Sequence, residues 1–297
     1  MSFKITAAFT EQYTQNVEHL VQQGDCRFGG KLREESQKGK SKFWEQIGET
    51  TAIKRTSRHG DTPRVDSDHQ RRACYLGDWD WSDLVDSLDN TKMLIDPKSS
   101  YAQSAAMAFT RAKDQEIIAA ATGTSYADVD GSGAVSAVVL PSTQKVAVNL
   151  GGANVGLTLA KMVKAKSILG KNEVPKGTKL YLAHTQQQLD DLLNNVTEVK
   201  SSDYAAVKAL HDGEVPYYMG MEFIKLELLT LSAATDIRTC FAYAKPGLLL
   251  SIGQESMGRV SERDDKNYAT QVYNNMSIGA TRMQEKMVVE VPCDESP

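Results

Sequence analysis

The chain has 297 residues, 41% of them hydrophobic and 24% charged, with a formal net charge of -4. That is enough chain for a large core, in one elaborate domain or two smaller ones, and it lacks the basic excess that marks a general nucleic-acid binder. No apolar run reaches the ~18–20 residues a membrane helix needs, and the opening MSFKITAAFTEQYTQNVEHL has no charged-then-apolar signal layout, so synthesis in the cytoplasm and no membrane partner are expected.

The Gly-rich, charged segment from Gly24 to Lys42 has the composition of a mobile arm. Two readings stay open for it: a tail docked on its own chain, or an arm laid across neighbouring subunits. Residues 50–82 read as two extended runs around a turn, TTAIKRTSR and HQRRACYLGDWDW, with His59, Gly60, Asp61 and Pro63 supplying the turn chemistry. In the stretch Asp78-Trp79-Asp80-Trp81 the alternation is that of a strand with one buried face. The hairpin tip carries Arg55, Arg58, Arg64, Asp61, Asp66 and Asp68 but too few apolar residues for a core of its own. It is either a solvated loop or a projection that forms ion pairs with a neighbour.

The stretch SSYAQSAAMAFTRAKDQEIIAAATG, residues 99–123, predicts one long helix, capped by Asp96, begun with Pro97 and closed by Gly123 in a positive-φ conformation. Tyr101, Ala105, Ala108 and Ala112 share one stripe; Met107 and Ile118 add a second side, and Arg111, Lys113, Asp114 and Glu116 crowd into little more than a turn. Such a helix is a girder against which other elements pack. Downstream the pattern gives a helix ending at Gly170, a strand TKLYLAH, a helix opened by the capping sequence TQQQ from Thr185 to Gln188, a short helix SSDYAAVKALHDG, and extended runs through YYMGMEFIKLELL, RTCFAYAKPGLLLSIG and EKMVVEVPC. The order is that of an α+β fold with mostly antiparallel strands.

Catalytic constellations are not found. GGANVGLT has Gly151 and Gly156 at phosphate-loop spacing, but Leu157 stands where a Lys would have to reach the phosphates. The histidines His19, His59, His69, His184 and His211 form no HxxxH pair, no GxSxG elbow accompanies a serine, and His184 reads as a turn residue. Cys26, Cys74, Cys240 and Cys293 lack CxxC spacing and read as reduced thiols. No catalytic, cofactor-binding or metal-binding residue is therefore assigned.

Taken in order, the polar N-terminal arm, the charged hairpin, the helix MLIDPKSSYAQSAAMAFTRAKDQEIIAAATG and the terminal IGATRMQEKMVVEV resemble the major capsid proteins of tailed bacteriophages, of the Hong Kong 97-type fold. The stretches that carry the resemblance are Met93 to Gly123, which looks like the end of the extended loop plus the spine helix, and Gly279 to Val291, which looks like the return strand of the peripheral domain. The resemblance implies an N-terminal arm at 1–47, an extended loop at 48–92, a peripheral domain from 93–155 and 259–297, and an axial domain at 156–258. It also implies an icosahedral shell of hexamers and pentamers enclosing double-stranded DNA without sequence-specific binding, and localisation in the virion. The partners it implies are a separate scaffolding protein, a portal and decoration proteins, and the candidate intersubunit contacts are the six charged residues of the hairpin. Some relatives cross-link a loop Lys to an Asn; Lys54, Asn267, Asn274 and Asn275 have the residue types, and no pairing is indicated. The alternatives are an encapsulin-like compartment shell and, in a different class, a nucleotide-dependent or hydrolytic enzyme.

Overall fold

The computed structural model describes residues 22–58, 60–86, 98–128, 134–150, 152, 154–194 and 217–295. The expected caps Asp96 and Pro97, the turn residue His59, the helix around 201–213 and the residues before 22 lie outside them. The chain divides into two compact units: Met1–Asp25, Asp78–Arg111 and Glu255–Met276 form one, and Cys26–Gly77, Ala112–Gln254 and Ser277–Pro297 the other.

In the larger unit the strands β1 (Arg33–Ser36), β2 (Ser41–Ile47) and β3 (His69–Tyr75) come first. β2 and β3 pair antiparallel from Ser41 opposite Tyr75 to Ile47 opposite His69. β4 (Gly77–Val85) follows. The run HQRRACYLGDWDW is extended as expected, but the run over 50–58 and its pairing need correction: the described residues of 48–68 form no strand, the hairpin is stemmed by β2 and β3, and β3 and β4 belong to different sheets. The physical reason lies in the charge-rich stretch, which offers no alternating apolar face to a sheet. β4 itself alternates as expected, with Trp79 and Trp81 half-buried between exposed Asp78 and Asp80.

The long helix is α1, Lys98–Thr122, within a residue of its expected span. Ala105 and Ala112 are buried, as are Phe109, Ile117, Ile118 and Ala121, whereas Tyr101 and Ala108 are only half-buried. Its end departs from expectation. Gly123 does not take a positive φ; it donates its N–H to the Ala119 carbonyl at 3.0 Å, and a Cβ here would collide with that same oxygen. Close approach, not left-handed geometry, explains this glycine.

Next come β5 (Ser125–Asp128) and β6 (Ser136–Val138), which complete a sheet in the order β2-β3-β5-β6. Helix α2 (Leu159–Lys171) is capped by Thr158, whose side chain accepts from the Lys161 N–H. After β7 (Leu180–His184), α3 (Gln186–Asn194) opens on half of a capping box: the Gln188 Oε1 accepts from the Thr185 N–H at 3.0 Å.

The remaining strands are β8 (Tyr217–Tyr218), β9 (Met221–Lys225), β10 (Leu231–Ser232), β11 (Ile237–Ala244), β12 (Leu248–Arg263), β13 (Ala269–Arg282) and β14 (Val288–Asp294). A six-stranded sheet runs β10-β11-β7-β9-β8, with β14 antiparallel to β11, and a third sheet runs β1-β12-β13-β4. The short 3₁₀ segment Lys245–Gly247 carries the chain from β11 in one sheet to β12 in another. The main core lies under the six-stranded sheet, where Phe28 stacks on Phe241 with ring centroids 6.0 Å apart and Tyr181 on Tyr243 at 5.3 Å.

The segment expected to be mobile docks on its own chain over residues 26–47. Phe28 and Leu32 enter the main core, β1 pairs parallel with Leu249–Ile252 of β12, and the buried Asp114 carboxylate accepts from the Cys26 thiol at 3.0 Å and the Arg27 N–H at 3.1 Å. Asp114, grouped above with the charges of a crowded turn, is thus an anchor.

Candidate functional site: an exposed loop and its arginine anchor

Every described residue from Glu49 to His69 is exposed. The six charged residues singled out in sequence fall here, and the structure brings few of them together. Arg64 Nε donates to Asp66 Oδ1 at 3.0 Å, both side chains more than 80% exposed, and Arg55 Nε donates to the Ser57 carbonyl at 2.7 Å. Arg58, Asp61 and Asp68 make no ion pair among the described residues. A pair so exposed contributes only ~0–1 kcal/mol to the fold. The loop closes where the Gly48 N–H donates to the Asp68 carbonyl at 2.8 Å.

Below that closure the β2–β3 stem is held by a buried polar cluster whose role sequence reasoning missed. Arg282, the last residue of β13, is wholly buried; its Nη1 donates to the carbonyls of Ala121 at 3.1 Å and Gly123 at 2.8 Å, and its Nη2 to Val138 at 3.1 Å. A cation thus sits on the unsatisfied carbonyls at the C-terminus of α1, where the helix dipole favours positive charge. Arg72, on β3 and 3% exposed, donates Nη1 to Ser125 Oγ at 2.9 Å and Nη2 to Glu285, with ion-pair distances of 2.9 and 3.0 Å to its two oxygens. Glu285 Oε1 also lies 3.7 Å from Arg282 Nε. Burial pushes the Arg282 pKa down and the Glu285 carboxylate partly restores it; a guanidinium nevertheless keeps its proton. Arg282 lies in the GATR stretch that marked the resemblance, but nothing in a lone strand Arg signals burial.

Beside this cluster is a cleft of about 230 Å³ lined by Gln46, Ile47, Gly48, Gln70, Arg72 and Met283, with Gln284, Glu285 and Lys286 at its side. The near-miss phosphate loop is unsuited to phosphate: a Cβ at Gly156 would collide with the Asp191 carboxylate, which accepts from the Leu157 N–H, so an acid already uses a backbone donor of that loop. His184 is corrected from turn residue to the buried end of β7, its Nδ1 2.8 Å from the Thr185 carbonyl and its ring edge-on to Phe223. Among the described residues, no group of three or more His, Cys, Asp or Glu could hold a metal, and no helix is long and apolar enough to cross a membrane.

The phage capsid protein family matches residues 5–295. No curated protein sequence matches. Among solved structures, the capsid of cyanophage P-SCSP1u superposes with a TM-score of 0.72 at 16% identity, covering 100% of this chain and 96% of that one. The acid-stable capsid of Helicobacter pylori bacteriophage KHP30 gives 0.74 at 10% identity, covering 100% and 99%. The capsid of a native GTA particle gives 0.71 at 9% identity, covering 98% and 97%. The fold is the Hong Kong 97-type capsid fold, and neither the compartment shell nor the enzyme is favoured. With a match over nearly its whole length, the chain belongs to the phage capsid protein family: it is a major capsid protein, a structural component of the virion whose copies build the icosahedral shell.

Proposed function

We propose that the exposed loop acts between subunits, and that its charges set the strength with which hexamers and pentamers of this chain close into a shell around double-stranded DNA. The observation that carries this reading is the run of exposed residues from Glu49 to His69, rich in both signs of charge and without a core of its own, rising from a stem anchored by buried arginines. In this reading residues 1–47 are the arm, 48–92 the extended loop, 93–155 with 259–297 the peripheral domain and 156–258 the axial domain. A separate scaffolding protein, a portal and decoration proteins are its partners. The net charge of -4 fits a container that holds DNA without binding its sequence.

The test is the triple variant Arg55→Ala, Arg58→Ala, Arg64→Ala. Exposed pairs are weak singly and screened beyond ~10 Å at 0.1 M salt, but a shell repeats them at every contact. Particle yield is expected to collapse while the melting temperature of the unassembled subunit stays unchanged, and yield of the unaltered chain should fall as salt rises. Unchanged yield of the variant at low salt refutes the intersubunit role; an equal loss in subunit melting temperature assigns the loop to its own fold.

A further inference from the structure

The cleft at the foot of the loop is charged in a way that its own residues do not balance. Arg72 uses Nη1 on Ser125 and Nη2 on Glu285, while its buried Nε has no hydrogen-bond partner. A buried donor left unpaired is costly and uncommon. Glu285 is shared between Arg72 and Arg282, and the helix-end carbonyls that Arg282 meets carry only partial charge. At the rim, exposed Lys286 forms no ion pair among the described residues. Nearby, Glu45 pairs with Arg71 at 3.4 Å and Lys145 with Glu290 at 2.8 Å, and the buried Asp128 of β5 stands opposite Arg71. Gln46, Gln70 and Gln284 add amides to the lining, and Ile47 and Met283 add apolar surface for a methylene stem.

We propose that this cleft receives an acidic side chain from a second copy of the chain, its carboxylate held by the Arg72 guanidinium and the Lys286 ammonium. A carboxylate accepts from several donors at once and would supply the missing negative charge. A second copy is favoured as its source because the cleft walls Gly48 and Gln70 belong to the stem of the exposed loop, so the cleft is continuous with the surface proposed above to lie between subunits. That loop also bears Glu49, Asp61 and Asp68, acids with no ion pair among the described residues. This inference rests on the shell reading.

Zero-length carbodiimide coupling tests it, since the reagent joins an amine to a contacting carboxylate as an amide, the released water being taken up by the carbodiimide to give a urea. Particles assembled from equal parts of isotopically heavy and light full-length chain are coupled, digested and analysed by mass spectrometry. Lys286 is expected in mixed heavy–light links to an Asp or Glu peptide of this chain, while Lys145–Glu290 serves as the within-chain control. Lys286→Gln should abolish those links and lower particle yield several-fold without moving the subunit melting temperature. Links of Lys286 only within one chain, only to another protein, or absent while the control couples, overturn the proposal. Failure to form particles at all refutes the shell reading instead, and the cleft's occupant with it.

Discussion

Arg282 is the residue on which the stem of the loop depends. Its two terminal nitrogens donate to carbonyls at the end of α1, to the β6 carbonyl of Val138 and to Ser125 Oγ, and its Nε lies 3.7 Å from the Glu285 carboxylate as an ion pair. Arg282→Ala would leave these acceptors without their cation, and breaking one side of a buried pair costs about 3–5 kcal/mol. Chemical denaturation of the unassembled subunit should show that loss, or no folded subunit at all. His184 predicts a pH dependence. Burial holds its folded pKa below the ordinary 6.5, against weaker opposing effects of the Thr185 carbonyl and Glu227. Below pH 6.5 the unfolded chain takes up a proton that the folded chain refuses, so stability is full above that pH and declines as pH falls toward the folded value. Melting temperatures measured between about pH 7 and 5.5 should fall for the unaltered subunit and fall less for His184→Leu. Glu295, held below the usual carboxylate range first by its hydrogen bond from Arg238, gives way only in a more acid window.

Among the elements, α1 is the clearest case of sequence carrying structure. Its alanines at 105 and 112 are buried with little room for more volume. Ala105→Leu or Ala112→Leu should destabilise by about 1–3 kcal/mol and reduce soluble yield or assembly. Lys113→Ala, at a half-buried position, should be nearly neutral, and equal tolerance of all three would contradict the packing. The span of α1, the cap at Thr185 and the strand β14 were legible because local periodicity and capping chemistry fix them. What was not legible depended on distant partners. Residues 26–32 read as an arm by composition, yet two apolar side chains, Phe28 and Leu32, suffice to dock them once the sheet supplies Phe241 and Tyr243. Arg72 and Arg282 read as ordinary strand residues, because only the meeting of β3, β13 and the end of α1 makes a buried charge tolerable there. Gly279 has the same character: a Cβ would collide with the Tyr75 carbonyl, an approach of strands that no local pattern announces.

At the scale of the whole molecule, a chain with large buried cores also presents a run of charge-rich residues that adds little to its own stability. The chain belongs to the phage capsid family, and in the function proposed above that surface acts between copies, where the energy missing within one chain would be recovered. The measurement that bears most directly on this account is electron microscopy of the purified full-length chain, alone and with its lysate partners, paired with light scattering across salt and concentration. Closed icosahedral particles are expected to form from folded subunits and to become scarcer as salt rises. A species that remains monomeric under every condition, with all partners present, would contradict it.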